Sequence, residues 1–111
     1  MPSEKASVEK VLHALGDPTR RAMVEMLSER PQSVSRLAEP FGITLTAVMQ
    51  HLRILEECGL VRTEKVGRVR TASLVTSGFD ALQEWISQRR TEWDMRLDRL
   101  GQLLSDEKPG T

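Results

Sequence analysis

The side chains with the most evident chemistry lie between residues 43 and 74. This segment reads ITLTAVMQHLRILEECGL and then VRTEKVGRVRTASL, so polar side chains at helical spacing are followed by a short basic stretch. Hydroxyl, amide and guanidinium groups of this kind donate hydrogen bonds to phosphate oxygens and to the edges of base pairs. The pattern therefore predicts contact with duplex DNA by a recognition helix and an adjacent β-hairpin.

The helical half of this segment carries the residues that could read bases. Gln50 can pair bidentately with adenine, and Leu45 and Met49 can contact the methyl group of thymine, so half-sites that contain A·T pairs are expected to be favoured. The other polar side chains of the helix could reach base edges or phosphates. The candidate DNA-contacting residues of the helix are Thr44, Leu45, Thr46, Met49, Gln50, His51 and Arg53.

A second group of candidates lies in the basic stretch. Residues 60–75 carry four basic side chains against the single acid Glu64, although the whole chain has 16 basic and 16 acidic residues and no net charge. A local basic stripe, rather than the overall charge, is the feature that indicates phosphate contact. An ordinary solvated hairpin is the alternative, and the position beside the recognition helix favours DNA. The candidates here are Arg62, Lys65, Arg68 and Arg70.

Cap and turn signals indicate how these residues are positioned. Asp17 before Pro18 is typical of a helix start. Ser33 and Thr44 are N-cap candidates for two further helices, and Gly67-Arg68 suits a two-residue hairpin turn. The expected elements are a helix ending at Leu15, a helix from Pro18 toward Pro31, a short helix after Ser33, a helix from about Thr44 to Cys58, strands at about 60–66 and 69–74, and a helix from about Phe79 to Leu104.

The length of the terminal helix indicates assembly. A helix over residues 79–104 extends about 39 Å, which is more than the rest of so small a domain can cover. Large apolar side chains left in water would forgo about 1.5–3 kcal/mol each, so a homodimer is expected. The expected interface comprises Val8, Val11, Leu12, Leu15, Phe79, Leu82, Ile86, Trp93, Leu97, Leu100 and Leu104.

With this order of elements, the chain resembles the ArsR/SmtB family of bacterial transcription repressors. The matching segments are LGDPTRRAMVEML (15–27), SVSRLAEPFGIT (33–44) and AVMQHLRILEECGLV (47–61), followed by Gly67. The resemblance implies a mainly α fold with a small β-hairpin, a winged helix-turn-helix with a long C-terminal dimerisation helix. It also implies a homodimer that binds inverted-repeat operators near its own promoter. The expected organisation is one domain over 1–111, with the helix-turn-helix at about 33–58, the wing at about 60–74 and the dimerisation helix at about 79–104.

The metal-sensing half of the family's function is not expected here. The founding sensors carry a Cys-x-Cys pair where this chain has Ser33-Val34-Ser35, and the terminal helix has no histidine to match the ligands of zinc-sensing members. Serine hydroxyls are poor ligands for soft or borderline metals. No metal and no cofactor are therefore predicted, and the inducer stays open.

Five residues leave alternatives open. Cys58 could be a redox switch, but a small buried side chain next to the helix end is the favoured interpretation. Arg20 and Arg21 could contact phosphate, pair with an acid or be solvated. Trp85 and Trp93 could line a ligand pocket at the dimer interface, although core or interface packing is favoured.

Composition excludes several classes of protein. No Ser/His/Asp or Cys/His constellation, carboxylate pair or glycine-rich phosphate loop can be assembled, so an enzyme is not expected. A single cysteine and the lack of a long apolar run predict a cytoplasmic protein with no membrane partner. The rival interpretation is a winged helix that binds another protein, and the basic hairpin favours DNA instead.

Overall fold

The computed structural model describes the backbone of residues 4–106 and the side chains of residues 7–105. The helices and strands follow one another in the order that the sequence predicts, with one added strand. The helices are α1 (Glu4–Leu15), α2 (Pro18–Glu29), α3 (Val34–Ala38), α4 (Leu45–Glu57) and α5 (Asp80–Asp106), and the strands are β1 (Gln32–Ser33), β2 (Val61–Val66) and β3 (Val69–Leu74).

The predicted helix caps are present. Asp17, Ser33 and Thr44 precede α2, α3 and α4, and each side chain accepts a hydrogen bond from the backbone N–H three residues later, at 2.9, 3.2 and 3.1 Å. The hydrogen bond from the Arg20 backbone N–H lowers the pKa of Asp17 below its usual value. The ionised carboxylate therefore stabilises the start of α2 at neutral pH, and this contribution is lost as the pH falls through the lowered pKa.

The core lies where α1 to α4 meet the inner face of the sheet. Its buried side chains come from every one of these helices, from the two long strands and from Leu60 just before β2, so each element is fixed by the others. The largest of them are Met23, Leu37, Leu52, Leu55, Leu60, Val11 and Val48.

The hairpin forms as predicted and gains a third strand. Gly67 adopts φ 63° in the turn between β2 and β3, a conformation that glycine takes without strain. The sheet order is β1-β3-β2, and β1 pairs antiparallel with β3 through Gln32 opposite Ala72. Two residues are too few to show strand periodicity, so β1 could not be predicted from the sequence. The buried Gln32 side chain donates to the carbonyl of Met26 at 2.8 Å, which fixes this short strand against the end of α2.

Two residues expected in a dimer interface belong to the chain's own core. Val8 and Val11 of α1 are 4% and 1% exposed, because α1 packs against α2, α4 and α5 of the same chain. The structure therefore does not leave them available to a second chain. Leu15 is half-buried against the same core, whereas Leu12 is 47% exposed. An apolar stripe at helical spacing does not reveal whether its own chain or another chain covers it.

The predicted interface residues near the end of the chain also divide into some that pack against the core and others that are exposed. Phe79 and Leu82 are half-buried and pack against the core where α5 begins. Beyond this point α5 leaves the body of the molecule, and its large apolar side chains are exposed. The members of the predicted interface in this exposed part are Ile86, Trp93, Leu97, Leu100 and Leu104.

A close backbone contact fixes the point where α5 begins. A Cβ atom on Gly78 would overlap the carbonyl group of Gly59 and would lie 3.0 Å from the Cα atom of Leu60. Gly59 has φ 82° and follows Cys58, the C-cap of α4, as the sequence predicts for a helix end. The lack of a side chain at Gly78 thus allows the turn before α5 to touch the turn after α4.

We predict that Gly78→Ala lowers the free energy of unfolding by about 1–3 kcal/mol, because the added methyl group would overlap backbone that no rotamer change can move. Gly101→Ala is the matched control, since open space surrounds this position in α5. That change should stabilise the helix by up to about 1 kcal/mol. Urea unfolding at one fixed protein concentration measures both, and equal midpoints for the two variants would contradict the close contact.

Candidate nucleic-acid interface

Helix α4 has one buried face and one polar exposed face. Val48, Leu52 and Leu55 are completely buried at spacings of four and three residues. Thr46, Gln50 and Arg53 follow the same spacings on the opposite side and are exposed. A helix with this division is held firmly on one side while its other side is free to enter a groove of DNA.

One flank of α4 faces the hairpin. Leu45 is 53% exposed at the start of the helix, whereas Met49 is half-buried and packs partly against the core. Both line an open cleft of about 370 Å³ that separates the start of α4 from Arg68 and Arg70 of the hairpin. Ser33 and Ser35 line the same cleft. Thr44 lies just before Leu45 and uses its hydroxyl oxygen as the helix cap.

The opposite flank of α4 is joined to α2. Nη1 of Arg20 lies 3.3 Å from Nδ1 of the half-buried His51. A guanidinium group can only donate, so Nδ1 accepts and the ring carries its proton on Nε2. Nε2 has no partner among the described residues and is not buried, which leaves this N–H free to donate to a ligand.

Arg20 does more than contact His51. Its side chain is 9% exposed, and Nε donates to the carbonyl of Ala14 at 2.7 Å while Nη2 donates to that of His13 at 3.3 Å. Arg21 donates to the carbonyl of Leu15 at 2.7 Å from the molecular surface. The two arginines therefore satisfy the last carbonyl groups of α1, where the helix dipole favours positive charge.

This role of Arg20 differs from the phosphate contact, acid pairing and solvation that the sequence left open. The ion pair found among the described residues joins Arg89 to Glu92 and does not involve Arg20. The signal in the sequence was the short connection between α1 and α2, because two residues, Gly16 and Asp17, separate them. Such a short connection places the first side chains of α2 beside the last carbonyls of α1.

The hairpin divides its basic residues between two faces. Lys65 pairs directly with Arg70, and Thr63 pairs with the buried Ala72, so these four side chains share the face nearer the core. Arg62 alternates to the other face. Arg68 lies in the turn at the tip, and all four basic side chains are exposed. The structure thus brings Lys65 and Arg70 to one face of the hairpin and Arg62 to the other, and Arg68 at the tip lines the cleft beside Arg70.

A hydrogen-bond network connects the hairpin to the end of α4. Oε1 of Glu56 accepts from the backbone N–H of Thr63 at 2.8 Å and from its hydroxyl at 2.5 Å. The same hydroxyl oxygen accepts from Nη1 of Arg70 at 3.3 Å. Neither Glu56 nor Thr63 was among the residues predicted from the sequence, because seven residues and a turn separate them along the chain.

Cys58 lies at the end of α4 and is half-buried. Its thiol donates to the carbonyl of Leu55 at 3.3 Å. Burial raises the pKa of Cys58, so the reactive thiolate is disfavoured at neutral pH. These observations favour the packing interpretation over a redox switch.

The two tryptophans of α5 have different surroundings. Trp85 contacts the guanidinium group of Arg89 at 5.3 Å, and Arg89 in turn pairs with Glu92 at 3.3 Å. Trp93 is 62% exposed. The cation–π contact occupies one face of Trp85 with a charged group, which does not favour an apolar ligand pocket there.

Neither a metal cluster nor a membrane helix is found in the part of the chain that the structure describes. No three side chains of His, Cys, Asp or Glu are grouped there so that they could bind a metal ion. None of the helices described is sufficiently long and apolar to span a membrane.

Comparison with known proteins places this arrangement in a family. The family model for a helix-turn-helix domain matches residues 15–64, from the end of α1 to the middle of β2. The chain is 33% identical over 105 residues to the HTH-type transcriptional regulator Rv2034 of Mycobacterium tuberculosis, a match that covers 95% of each protein. It also matches the crystal structure of an ArsR family transcriptional regulator with TM-score 0.78 and 38% identity, over 85% of this chain and 97% of that one.

The chain belongs to the ArsR/SmtB family of transcriptional regulators. A second structure, an ArsR-like transcriptional regulator from Rhodococcus sp. RHA1, matches with TM-score 0.77 and 31% identity over 89% of this chain and 93% of that one. The predicted winged helix-turn-helix fold is confirmed, with a three-stranded wing in place of a plain hairpin. The regulator binds DNA, and these relatives are transcriptional regulators rather than enzymes.

We predict that Arg20→Met destabilises the regulator by about 1–3 kcal/mol, because buried carbonyl groups at the end of α1 lose their hydrogen-bond donor. Arg21→Met is the matched control, since Arg21 makes one comparable hydrogen bond at the exposed surface. That change should stay within about 0.5 kcal/mol of the wild type. Urea unfolding followed by circular dichroism compares the two variants. Equal losses in the free energy of unfolding would show that the burial of Arg20 adds nothing to stability.

Proposed function

We propose that this regulator represses transcription by binding, as a homodimer, a two-fold symmetric operator in duplex DNA. One α4 helix occupies the major groove of each half-site, in the cytoplasm where bacterial DNA lies. The observation that carries the proposal is the exposed line of Thr46, Gln50 and Arg53 on a helix whose other face is buried. Repression and the inverted repeat are supported by the family resemblance.

The side chains of α4 divide between bases and phosphates in this proposal. Thr46 and Gln50 face the base edges, and Leu45 and Met49 contact thymine methyl groups at the side nearer the wing. Arg53 and the free Nε2–H of His51 donate to phosphates on either side of the groove. Thr44 keeps its hydroxyl hydrogen for a phosphate or base, because its oxygen already caps the helix.

The wing supplies sequence-independent affinity. Lys65 and Arg70 on one face of the wing, together with Arg68 at its tip, contact phosphates or the minor groove, while Arg62 lies on the opposite face and contributes to the general positive field. Each phosphate that is neutralised releases counterions, so the logarithm of the binding constant falls linearly with the logarithm of salt concentration. Steep salt dependence on a duplex separates this function from a protein-interaction module, whose binding to its partner would not require DNA.

We predict that Gln50→Ala weakens binding to operator DNA by about 1–3 kcal/mol, because a bidentate contact to adenine is lost. The operator probe is a duplex selected by the wild-type protein from a random library. A scrambled duplex of the same composition is the control, and its affinity should be almost unchanged. Fluorescence anisotropy titrations measure both. Equal losses on the two duplexes would refute a base-reading role for Gln50.

Dimer formation is proposed from the exposed part of α5. Trp93, Leu97, Leu100 and Leu104 follow one another at spacings of four, three and four residues, so they form one stripe along the helix. Each is more than half exposed in the single chain. Burying several such side chains is a large contribution beside a typical stability of about 5–15 kcal/mol. With Leu12 and Ile86 nearer the body of the molecule, this stripe is the proposed contact with a second copy.

We predict that Leu97→Asp converts the regulator to a monomer and abolishes operator binding at the same time. A charge placed in the centre of the stripe cannot be buried without a partner. Met95→Asp is the matched control, because Met95 is similarly exposed but lies on the other side of α5, two residues away. Sedimentation velocity at micromolar concentration gives the assembly state. A wild type that sediments as a folded monomer, or a Met95 variant that is as monomeric as the Leu97 variant, would contradict the proposed interface.

A further inference from the structure

We propose that Glu56 is a positioning residue for DNA binding, because it fixes the wing relative to α4. The proposal rests on the wing contact with DNA that forms part of the proposed function. Glu56 does not itself touch DNA. Its role is to hold β2, and through β2 the basic side chains of the wing, at one distance and angle from the helix that reads the bases.

Glu56 contacts the free edge of the wing. The sheet order makes β2 an outer strand, with β3 on one side and no described strand on the other. The N–H groups of an outer antiparallel strand point alternately toward its partner and away from it. The N–H of Thr63 is directed at Oε1 of Glu56, at 2.8 Å, so a side chain from α4 takes the place of a neighbouring strand. The recognition helix and the wing are thereby joined through a backbone group, which a change of rotamer cannot move.

The same carboxylate is connected to a basic side chain. The hydroxyl of Thr63 donates to Oε1 of Glu56 at 2.5 Å, and its oxygen accepts from Nη1 of Arg70 at 3.3 Å. The direction of the hydroxyl hydrogen is set by the carboxylate, which leaves the oxygen lone pairs for the guanidinium group. Arg70 is thus oriented in the unbound protein. Preorganisation of this kind reduces the ordering cost when a partner binds.

The negative charge of Glu56 is unfavourable at this position. A carboxylate in the last turn of a helix is disfavoured by the helix dipole, and a carboxylate beside a DNA-binding surface repels phosphates. Glu56 meets both conditions, since it lies one residue before the end of α4 and bonds to a strand of the basic wing. A purely electrostatic view therefore predicts tighter DNA binding when Glu56 is removed. The positioning role predicts weaker binding, so the two accounts differ in the sign of one measurement.

The test compares Glu56→Ala, Glu56→Gln and Glu57→Ala. Glu57 is the matched control, because it is the next residue, is exposed, and makes no side-chain hydrogen bond among the described residues. The probes are a duplex selected by the wild-type protein and a scrambled duplex of equal length. Glu56→Ala should weaken binding to the selected duplex by about 3- to 10-fold, the equivalent of one net hydrogen bond. Glu56→Gln keeps the acceptor oxygen, so its affinity for the selected duplex should lie within about twofold of the wild-type affinity. Glu57→Ala should bind the selected duplex as tightly as the wild type or more tightly.

Two further readouts separate positioning from a general loss of fold. Amide hydrogen exchange at Thr63 should accelerate in Glu56→Ala and stay slow in Glu56→Gln, while the core amides of α4 stay protected in both. In hydroxyl-radical footprints of Glu56→Ala on the selected duplex, the DNA positions that Arg68→Ala also exposes should lose their protection. The central major-groove positions should stay protected.

The outcomes distinguish this inference from the proposed function. If Glu56→Ala binds as tightly as Glu57→Ala, or if Glu56→Gln is as weak as Glu56→Ala, Glu56 does not position the wing. If Arg68→Ala and Arg70→Ala leave the affinity and its salt dependence unchanged, the wing contact itself fails. Loss of affinity in the two arginine variants together with a silent Glu56→Ala overturns this inference alone.

Discussion

The guanidinium group of Arg20 is the point on which the arrangement of the helices depends. It closes the carbonyl end of α1, belongs to the first turn of α2 and contacts His51 of α4, so a single side chain has a partner in each of the helices that surround it. A buried cation is tolerated only when its donors are used. Here the dipole of α1 supplies negative potential, and the carbonyls supply the acceptors. The orientation of α4 therefore depends on an electrostatic contact as well as on apolar packing.

The flanks of α4 are held by different chemistry. On the side of α2, a guanidinium group meets the imidazole ring of His51, and on the side of the wing, a carboxylate meets a backbone N–H and a hydroxyl. Between these two tethers, completely buried valine and leucine side chains resist displacement toward the solvent. Rotation of α4 about its own axis would break one tether or the other. The exposed polar line on α4 is consequently presented at a fixed angle, which the proposed reading of base edges would require.

The parts of the fold that the sequence predicted are those with local signals. Asp17, Ser33 and Thr44 cap helices through atoms three residues away, and Gly67 turns the hairpin by its own conformation, so their roles follow from short stretches of chain. The candidate residues of the site were found in the same way, from the period of α4. Strand β1, the burial of Arg20 and the hydrogen bond that Glu56 accepts from Thr63 could not be found like this, because each depends on a partner that only the folded chain brings near.

The contact between Gly78 and the turn at Gly59 has a mechanical consequence. Contacts between side chains absorb a shift of a few tenths of an ångström by changing rotamer, whereas two backbones in contact have no such slack. The turn before α5 and the turn after α4 are therefore rigidly linked. Helix α5 has 27 residues and α4 has 13, so α5 extends further from this contact. A small angular movement at this pivot is a large displacement at the far end of α5, and a displacement imposed there returns to α4 as a proportionately small tilt.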